Sequence, residues 1–167
     1  MVVALGAGTP GLARRFGHRF PLVPKRGYHR HMDAGEALRR PVVEVARGVV
    51  LAPMDEGLRI TTGAALTAAP ERAPRQIREG VALAETLLGR DLVPMSEVWT
   101  GVRPCMPDML PVVGPSGRAP GLWFHFGHGH QGLTLAAETA ARLARRIMDG
   151  GAGDGVDAAL APARFDR

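Results

Sequence analysis

The sequence predicts an α+β chain, and three features point there. Two apolar, strand-like runs, Val2–Leu5 and Leu122–Phe126, each end in a glycine turn. β-Branched runs between residues 42 and 62 read as antiparallel strands. Two segments, one after Pro74 and one after Gly132, repeat apolar residues at helical spacing. These elements mix without the regular strand–helix–strand rhythm of a parallel sheet.

Val2–Leu5 reads as a buried strand ending in Gly6-Ala7-Gly8. Leu12–Phe16 is a brief helical turn, stopped by Gly17 and then Pro21. Val42–Val45 is a short strand, and Val49–Thr62 is a hairpin turning at Asp55-Glu56-Gly57. Pro74 to Leu88 reads as a helix, with Pro74 suited to its start and Gly89 to its end. Its apolar face is Ile77, Val81, Ala84 and Leu88, weakened by Gly80. Val98–Val102 is a strand leading into Arg103-Pro104, followed by a segment punctuated by Pro107, Pro111 and Pro115. Leu122–Phe126 runs into Gly127-His128-Gly129-His130-Gln131-Gly132. A helix follows over Leu133–Met148, with Leu133, Ala136, Ala140, Leu143 and Ile147 as its apolar face and Asp149-Gly150-Gly151 as its stop. The last 17 residues, Gly- and Ala-rich, read as a tail.

The composition excludes several classes. Of 167 residues, 46% are hydrophobic and 22% charged, which excludes wholesale disorder. The single cysteine, Cys105, excludes an internal disulfide and any multi-cysteine metal site. No apolar run reaches the ~18–20 residues of a membrane span. The first residues carry no basic n-region, so a signal peptide is not expected and a cytoplasmic chain is. The net charge is +5, carried by 20 Arg and one Lys, scattered and with runs no longer than pairs. Aromatics are only 5%, so a basic stripe with stacking platforms is missing and nucleic acid is not an expected partner.

Gly6-Ala7-Gly8-Thr9-Pro10-Gly11 matches the G-x-G-x-x-G pattern, but its context is wrong for a first dinucleotide-binding turn. The helix after it is stopped within two turns. The region where an acidic ribose-binding residue belongs reads Pro24-Lys25-Arg26-Gly27. A strand ending in a glycine turn, still able to touch a flavin, is the alternative. The segment Gly127–Thr134 is the better site. Its glycines let a flat or charged ligand approach the backbone, and the helix after it offers free N–H groups and a positive dipole end. A glycine loop that serves only a tight strand-to-helix join is the plainer reading. His125, His128 and His130 fit loop hydrogen bonding or ligand contact better than a metal, because no carboxylate lies beside them. Arg103 closes a strand and suits a bidentate grip on a carboxylate, although a surface charge is the commoner role. Tyr28 reads as a half-buried strand residue and Cys105 as a small buried one. Gly114-Pro115-Ser116-Gly117 has the wrong spacing for a hydrolase nucleophile.

Four blocks together resemble the C-terminal half of the FAD-dependent D-amino-acid oxidase superfamily, near its D-amino-acid dehydrogenase and glycine oxidase branch. They are Val2–Gly8 with Leu12–Arg15, Pro21–His29, Trp99–Gly114 and Gly127–Ala136. The resemblance implies a substrate-domain antiparallel sheet with helices, joined to the C-terminal strand–loop–helix of an incomplete Rossmann-like FAD domain. It implies FAD-domain segments over residues 1–19 and 111–150, a substrate domain over 20–110 and a tail over 151–167. FAD would be held by Gly6, Gly8, His128, Gly129, His130, Gln131, Gly132, Leu133 and Thr134. An amino-acid substrate would meet Arg103, His130 and Tyr28. The implied activity is hydride transfer from an amino acid to flavin, giving an imino acid. The family's first G-x-G-x-x-G unit has no counterpart here. The resemblance therefore also leaves room for a fragment or subunit whose FAD site needs a second chain or an oligomer, in the cytoplasm or at the periphery of the inner membrane.

Overall fold

The computed structural model describes residues 1–35, 38–66, 74–150 and 153–166. In chain order the strands are β1 (Val2–Val3), β2 (Val23–Asp33), β3 (Val42–Glu44), β4 (Val49–Met54), β5 (Gly57–Thr61), β6 (Val93–Pro94), β7 (Trp99–Cys105), β8 (Val112–Pro115) and β9 (Trp123–Phe126). The helices are α1 (Thr9–Ala13), α2 (Arg75–Leu88), α3 (Gly132–Asp149) and α4 (Gly155–Leu160). Short 3-10 turns cover Gly6–Gly8, Arg14–Phe16 and Pro162–Phe165. The chain is α+β, as its sequence predicts. It forms two compact units, one of Met1–Lys25 with Arg103–Arg167 and one of Arg26–Val102.

The first unit is built on a three-stranded sheet in the order β1-β9-β8. β1 runs parallel to β9, with Val2 opposite Trp123 and Val3 opposite Phe124, and β8 runs antiparallel to β9. Both faces are covered, which explains why the strands read as continuous apolar runs. On one face Phe124 and Phe126 pack with Val3, Ala13, Phe20, Met106 and Leu122. The Phe20 ring meets both phenyl groups edge-on, with centroids 5.1 Å and 5.0 Å away. On the other face Val113, Leu143 and Leu160 form a smaller cluster with Trp123 against it.

Two sequence expectations change here. The supposed tail is structured: α4 is opened by a capping box between Asp154 and Asp157, and Leu160 is buried. Gly151, read as part of the stop of α3, lies outside the described residues; Gly150 at φ 62° ends that helix. The expected apolar face of α3 is only partly a core face. Leu143 is buried, but Leu133 is fully exposed at 101% and Ile147 is exposed. The residue that replaces them inside is polar: Thr139, 5% exposed.

The second unit carries a sheet in the order β3-β4-β5-β2-β6, with β7 also paired to β2. The expected hairpin is β4–β5, with Met54 opposite Gly57 across the Asp55-Glu56 turn. One face of the sheet is closed by α2. Met32, Leu51, Leu58 and Ile60 are buried there with Ala84 of the helix. Gly80 explains itself in this packing: a Cβ on it would sit 3.0 Å from Ile60 Cγ2 and 3.5 Å from Val49 Cγ1. Its absence lets the helix ride close to the sheet, against a propensity cost of ~1 kcal/mol. No described helix is long and apolar enough to cross a membrane.

Candidate functional site

β1 and β9 are parallel neighbours, so their carboxyl ends lie at the same end of the sheet. In open α/β sheets that is where ligands collect. Both strands end there in glycine turns of equal offset: Gly6 lies three residues beyond Val3, and Gly127 three beyond its partner Phe124. Gly6 has φ 53° and open space where a Cβ would be. The Gly6–Gly8 turn closes with Gly8 N–H donating to Leu5 O at 3.0 Å. Leu5 N–H donates to the Thr9 hydroxyl at 3.2 Å, so the first turn of α1 braces the glycine turn.

The second glycine segment is a sharply folded loop. Gly127 at φ 81° and Gly129 at φ 58° occupy left-handed backbone that side chains disfavour. A Cβ on Gly127 would come 3.0 Å from Met106 Cγ, and one on Gly129 3.1 Å from Cys105 Sγ. The loop is pinned to the end of β7: Gly129 N–H donates to Pro104 O at 3.1 Å, and Cys105 and His128 form an isolated bridge. Arg103 is thus one residue from the anchor of the loop. Its side chain is part-exposed and has no hydrogen-bond or ion-pair partner among the described residues.

The start of α3 is open as well. Gln131 is its N-cap residue and makes no side-chain cap; the Thr134 N–H donates to Gln131 O at 3.1 Å, and the Gly132 and Leu133 N–H groups have no acceptor among the described residues. His130, Gln131, Leu133 and Thr134 are exposed around it. The structure therefore brings Gly6, Gly8 and the Gly127–Thr134 segment to one sheet end, with the Arg103 backbone beside the loop. Tyr28 lies in the other unit on β2. It is 2% exposed, so it is buried rather than half-buried, and its hydroxyl has no partner among the described residues.

Two histidines of this region are occupied. His125 Nε2 and His128 Nε2 lie 2.9 Å and 3.0 Å from the Thr139 hydroxyl oxygen, and that hydroxyl donates to Leu135 O at 2.9 Å. With its proton spent on the carbonyl, Thr139 can only accept from the rings. Both imidazoles then donate through Nε2. Burial lowers the basicity of both, and the proximity of His125 lowers that of His128 further. Sequence reasoning missed Thr139, because a threonine inside a helix looks like a mild misfit. Its place one turn after Leu135 on the buried side was the available signal.

A Ser–His–Asp grouping also forms in this unit. His18, fully buried, has Nε2 2.7 Å from Ser116 Oγ and Nδ1 3.4 Å from Asp166 Oδ1. It is not a nucleophilic triad. Ser116 Oγ already accepts from the N–H groups of Arg118 and Ala119 at 3.1 Å and 2.9 Å, which occupies the lone pairs an attack would need. It fastens the β8–β9 turn to the C-terminal segment.

Residues 1–146 match the protein family described as FAD dependent oxidoreductase, DAO. The chain belongs to that family. It is similar to the D-amino acid dehydrogenase of Cereibacter sphaeroides, 34% identical over 186 residues, covering 100% of this chain and 40% of the relative. An oxidoreductase of Halorhodospira halophila is 34% identical over 157 residues, covering 89% of this chain and 71% of that one. Among solved structures, glycine oxidase from Geobacillus kaustophilus superposes with a TM-score of 0.77 at 22% identity, covering 98% of this chain and 45% of its own. The chain thus spans about two fifths of the length of the D-amino acid dehydrogenases it matches. The family's cofactor, FAD, fits the residues present. The uncapped start of α3 suits the electron-rich edge of a flavin, and Gly6 leaves open space at the same sheet end.

Proposed function

We propose that this chain carries the flavin-facing part of an FAD-dependent amino-acid oxidoreductase acting on a D-amino acid. The observation that carries this reading is the pair of glycine turns at the shared carboxyl end of β1 and β9, with the open start of α3 beside them. Bound FAD would supply the acceptor for the two electrons and the hydrogen of the substrate Cα–H. Gly6, Gly8 and the loop from His128 to Thr134 hold it by backbone approach, and the α3 dipole stabilises negative charge on it. Arg103, without a hydrogen-bond or ion-pair partner among the described residues, grips the substrate carboxylate by its guanidinium fork and so orients the Cα–H. His130 stands exposed at the loop tip as a substrate or flavin contact. Tyr28 offers a buried hydroxyl that lacks a partner among the described residues. The imino acid product then hydrolyses in water to a 2-oxo acid and ammonia. Residues 26–102 serve as the substrate domain in this reading.

The test is the absorbance of the purified chain at roughly 350–500 nm after FAD is added and free flavin removed. Retained flavin that is lost on Gly129→Val supports the loop assignment, and equal retention by that variant overturns it. A second reading is that another chain completes the FAD site. The open edge of β1 favours it, since Met1, Val2 and Leu5 are exposed there. Flavin retention only after a chain bearing a dinucleotide-binding unit is added would select that reading.

A further inference from the structure

The glycine turns occupy one end of the β1-β9-β8 sheet, and the opposite end carries a cluster of arginines. Ser116 follows Pro115, which pairs with Trp123 at the start of β9, so the β8–β9 turn lies at the amino end of β9. His18 Nε2, 2.7 Å from Ser116 Oγ, brings the segment after α1 to that end as well.

The backbone there is fixed. Gly17 N–H donates to Arg14 O and His18 N–H to Ala13 O, both at 3.1 Å, with Gly17 at φ 82°. This helix ending satisfies its own carbonyls and needs no further partner. Beyond it burial alternates. His18 and Phe20 are buried, their rings stacked with centroids 5.3 Å apart and planes 5° apart, while Arg19 between them is exposed. Across the turn, Arg118 Cδ lies 3.5 Å from the place a Gly17 Cβ would take, so the bare glycine seats the arginine stem.

Arg14, Arg19 and Arg118 thereby line a groove of about 840 Å³, with Phe20 and Pro21 in its wall and no carboxylate among its described lining residues. Arg14 and Arg19 have no hydrogen-bond or ion-pair partner among the described residues. Arg118 spends Nε on Asp166 Oδ1 at 3.1 Å, which leaves its terminal nitrogens unspent. Two of the three charges are unanswered, and gathered charge of one sign draws anions. A guanidinium fork matches phosphate oxygens in pairs. Three forks around a groove of this size exceed what one phosphate can meet, and suit a chain of two or three.

We propose that Arg14, Arg19 and Arg118 form a binding site for the terminal di- or triphosphate chain of a soluble molecule. The site lies at the far end of the sheet from the glycine turns and uses neither flavin nor Arg103. It stands or falls separately from the oxidoreductase reading.

The probe is inorganic tripolyphosphate, titrated by calorimetry into the chain without flavin at roughly 0.1 M salt, where distant charges are screened. The amide signals of Gly17, Arg19 and Arg118 are followed by NMR. One saturable site that shifts all three is expected, with orthophosphate bound about tenfold more weakly or not at all. Arg14→Gln and Arg19→Gln remove exposed side chains without partners, so the fold should persist while each weakens binding about tenfold. The corresponding lysine variants should recover only part, because a lysine lacks the fork. Arg103→Gln and Arg40→Gln, the latter an exposed arginine of the other unit, should change nothing. Absence of saturable binding overturns the proposal, as does an equal loss in Arg40→Gln, which would mark a general charge effect. Displacement of tripolyphosphate by an equal concentration of FAD overturns it by assigning the arginines to the cofactor's pyrophosphate. Cosedimentation with phosphatidylglycerol vesicles that is lost in the Arg14→Gln/Arg19→Gln double variant, without tripolyphosphate binding, overturns it in favour of lipid headgroups.

Discussion

His128 Nε2 lies 3.0 Å from the Thr139 hydroxyl, and that one contact ties the glycine loop to the second turn of α3. His125, at the end of β9, reaches the same oxygen at 2.9 Å. A single buried hydroxyl therefore fastens strand, loop and helix at the place where the flavin is proposed to bind.

Removing that hydroxyl without changing shape isolates its contribution. Thr139→Val leaves two part-buried imidazole N–H groups without an acceptor. Each orphaned polar group costs about 1–3 kcal/mol when buried, so a loss of roughly 2 kcal/mol is expected for the pair after partial relaxation. Thr139→Ser keeps the oxygen and should recover most of it. Urea unfolding of the three proteins decides the matter; equal midpoints for valine and serine variants would contradict the shared-acceptor scheme.

Three histidines set a pH dependence. His29, His125 and His128 all have their basicity lowered by burial as the largest cause. An unfolded imidazole titrates near pH 6.5. Below that value the unfolded chain binds protons that the folded rings resist, so stability falls as pH drops through about 6.5 toward the lower folded values. Above it, the three groups contribute no slope. The urea midpoint should be flat from about pH 8 to 7 and decline by about pH 5.5, a window above the carboxylate range. A midpoint that rises on acidification contradicts this sign.

Legibility in the sequence followed the strength of local signals. The β4–β5 hairpin was readable because Asp55-Glu56-Gly57 interrupts two β-branched runs, and the β9–loop–α3 unit because its glycines fall between an aromatic strand and a helical repeat. The α4 cap was not, since its N3 residue is Asp157 where a capping box usually has Glu or Gln. The face of α3 was misjudged because Leu133 and Ile147 satisfy helical periodicity yet face outward, while polar Thr139 faces in. Periodicity reports which residues share a side, and says nothing of a polar network that claims the interior. Arg103 and Gly129 were readable as residues. Their approach through Pro104 was not, because it joins positions 25 residues apart.

Gly80→Ala opposes two effects of known size. In an exposed helix the change would stabilise by ~1 kcal/mol. Here the new methyl meets Ile60 Cγ2 at 3.0 Å inside a closed core. Overpacking of that kind costs about 1–3 kcal/mol. The core term wins, with a net loss of roughly 1 kcal/mol expected in denaturant unfolding. Combined with Ile60→Ala, which removes the contacting Cγ2, the Gly80→Ala penalty should shrink, a coupling that a double-mutant cycle reads.

Arg164 should be the most sensitive charged residue. It donates to Asp108 Oδ2 at 2.8 Å and to the carbonyls of Leu110, Pro111, Leu160 and Ala161 at 2.7 to 3.0 Å, with 16% of its side chain exposed. Burial alone would raise the Asp108 carboxyl, but the Arg164 bond and the Leu110 N–H outweigh it and hold Asp108 below the usual range. Arg164→Met keeps the aliphatic stem and leaves several carbonyls unanswered, so a loss of about 2–4 kcal/mol is expected, well beyond the ~0–1 kcal/mol of an ordinary surface pair. Arg75→Met, which breaks the exposed pair with Glu79, is the matched control and should be near neutral.

Arg103 is where fold and proposed chemistry meet. Its backbone neighbour Pro104 accepts from the Gly129 N–H, so the residue is positioned by the loop proposed to hold flavin. Its guanidinium has no protein partner among the described residues. A side chain so placed is free to hold a substrate carboxylate, and little in the fold depends on it. Arg103→Gln should therefore leave thermal stability within about 0.5 kcal/mol, as for other partnerless surface positions. In the flavin-loaded enzyme, with any completing chain present, it should raise KM about 10- to 100-fold through the lost charge-assisted bonds, at unchanged flavin content. A raised KM with intact flavin separates a carboxylate grip from a loop-positioning role, in which flavin content would fall as well. An unchanged KM removes Arg103 from the substrate site.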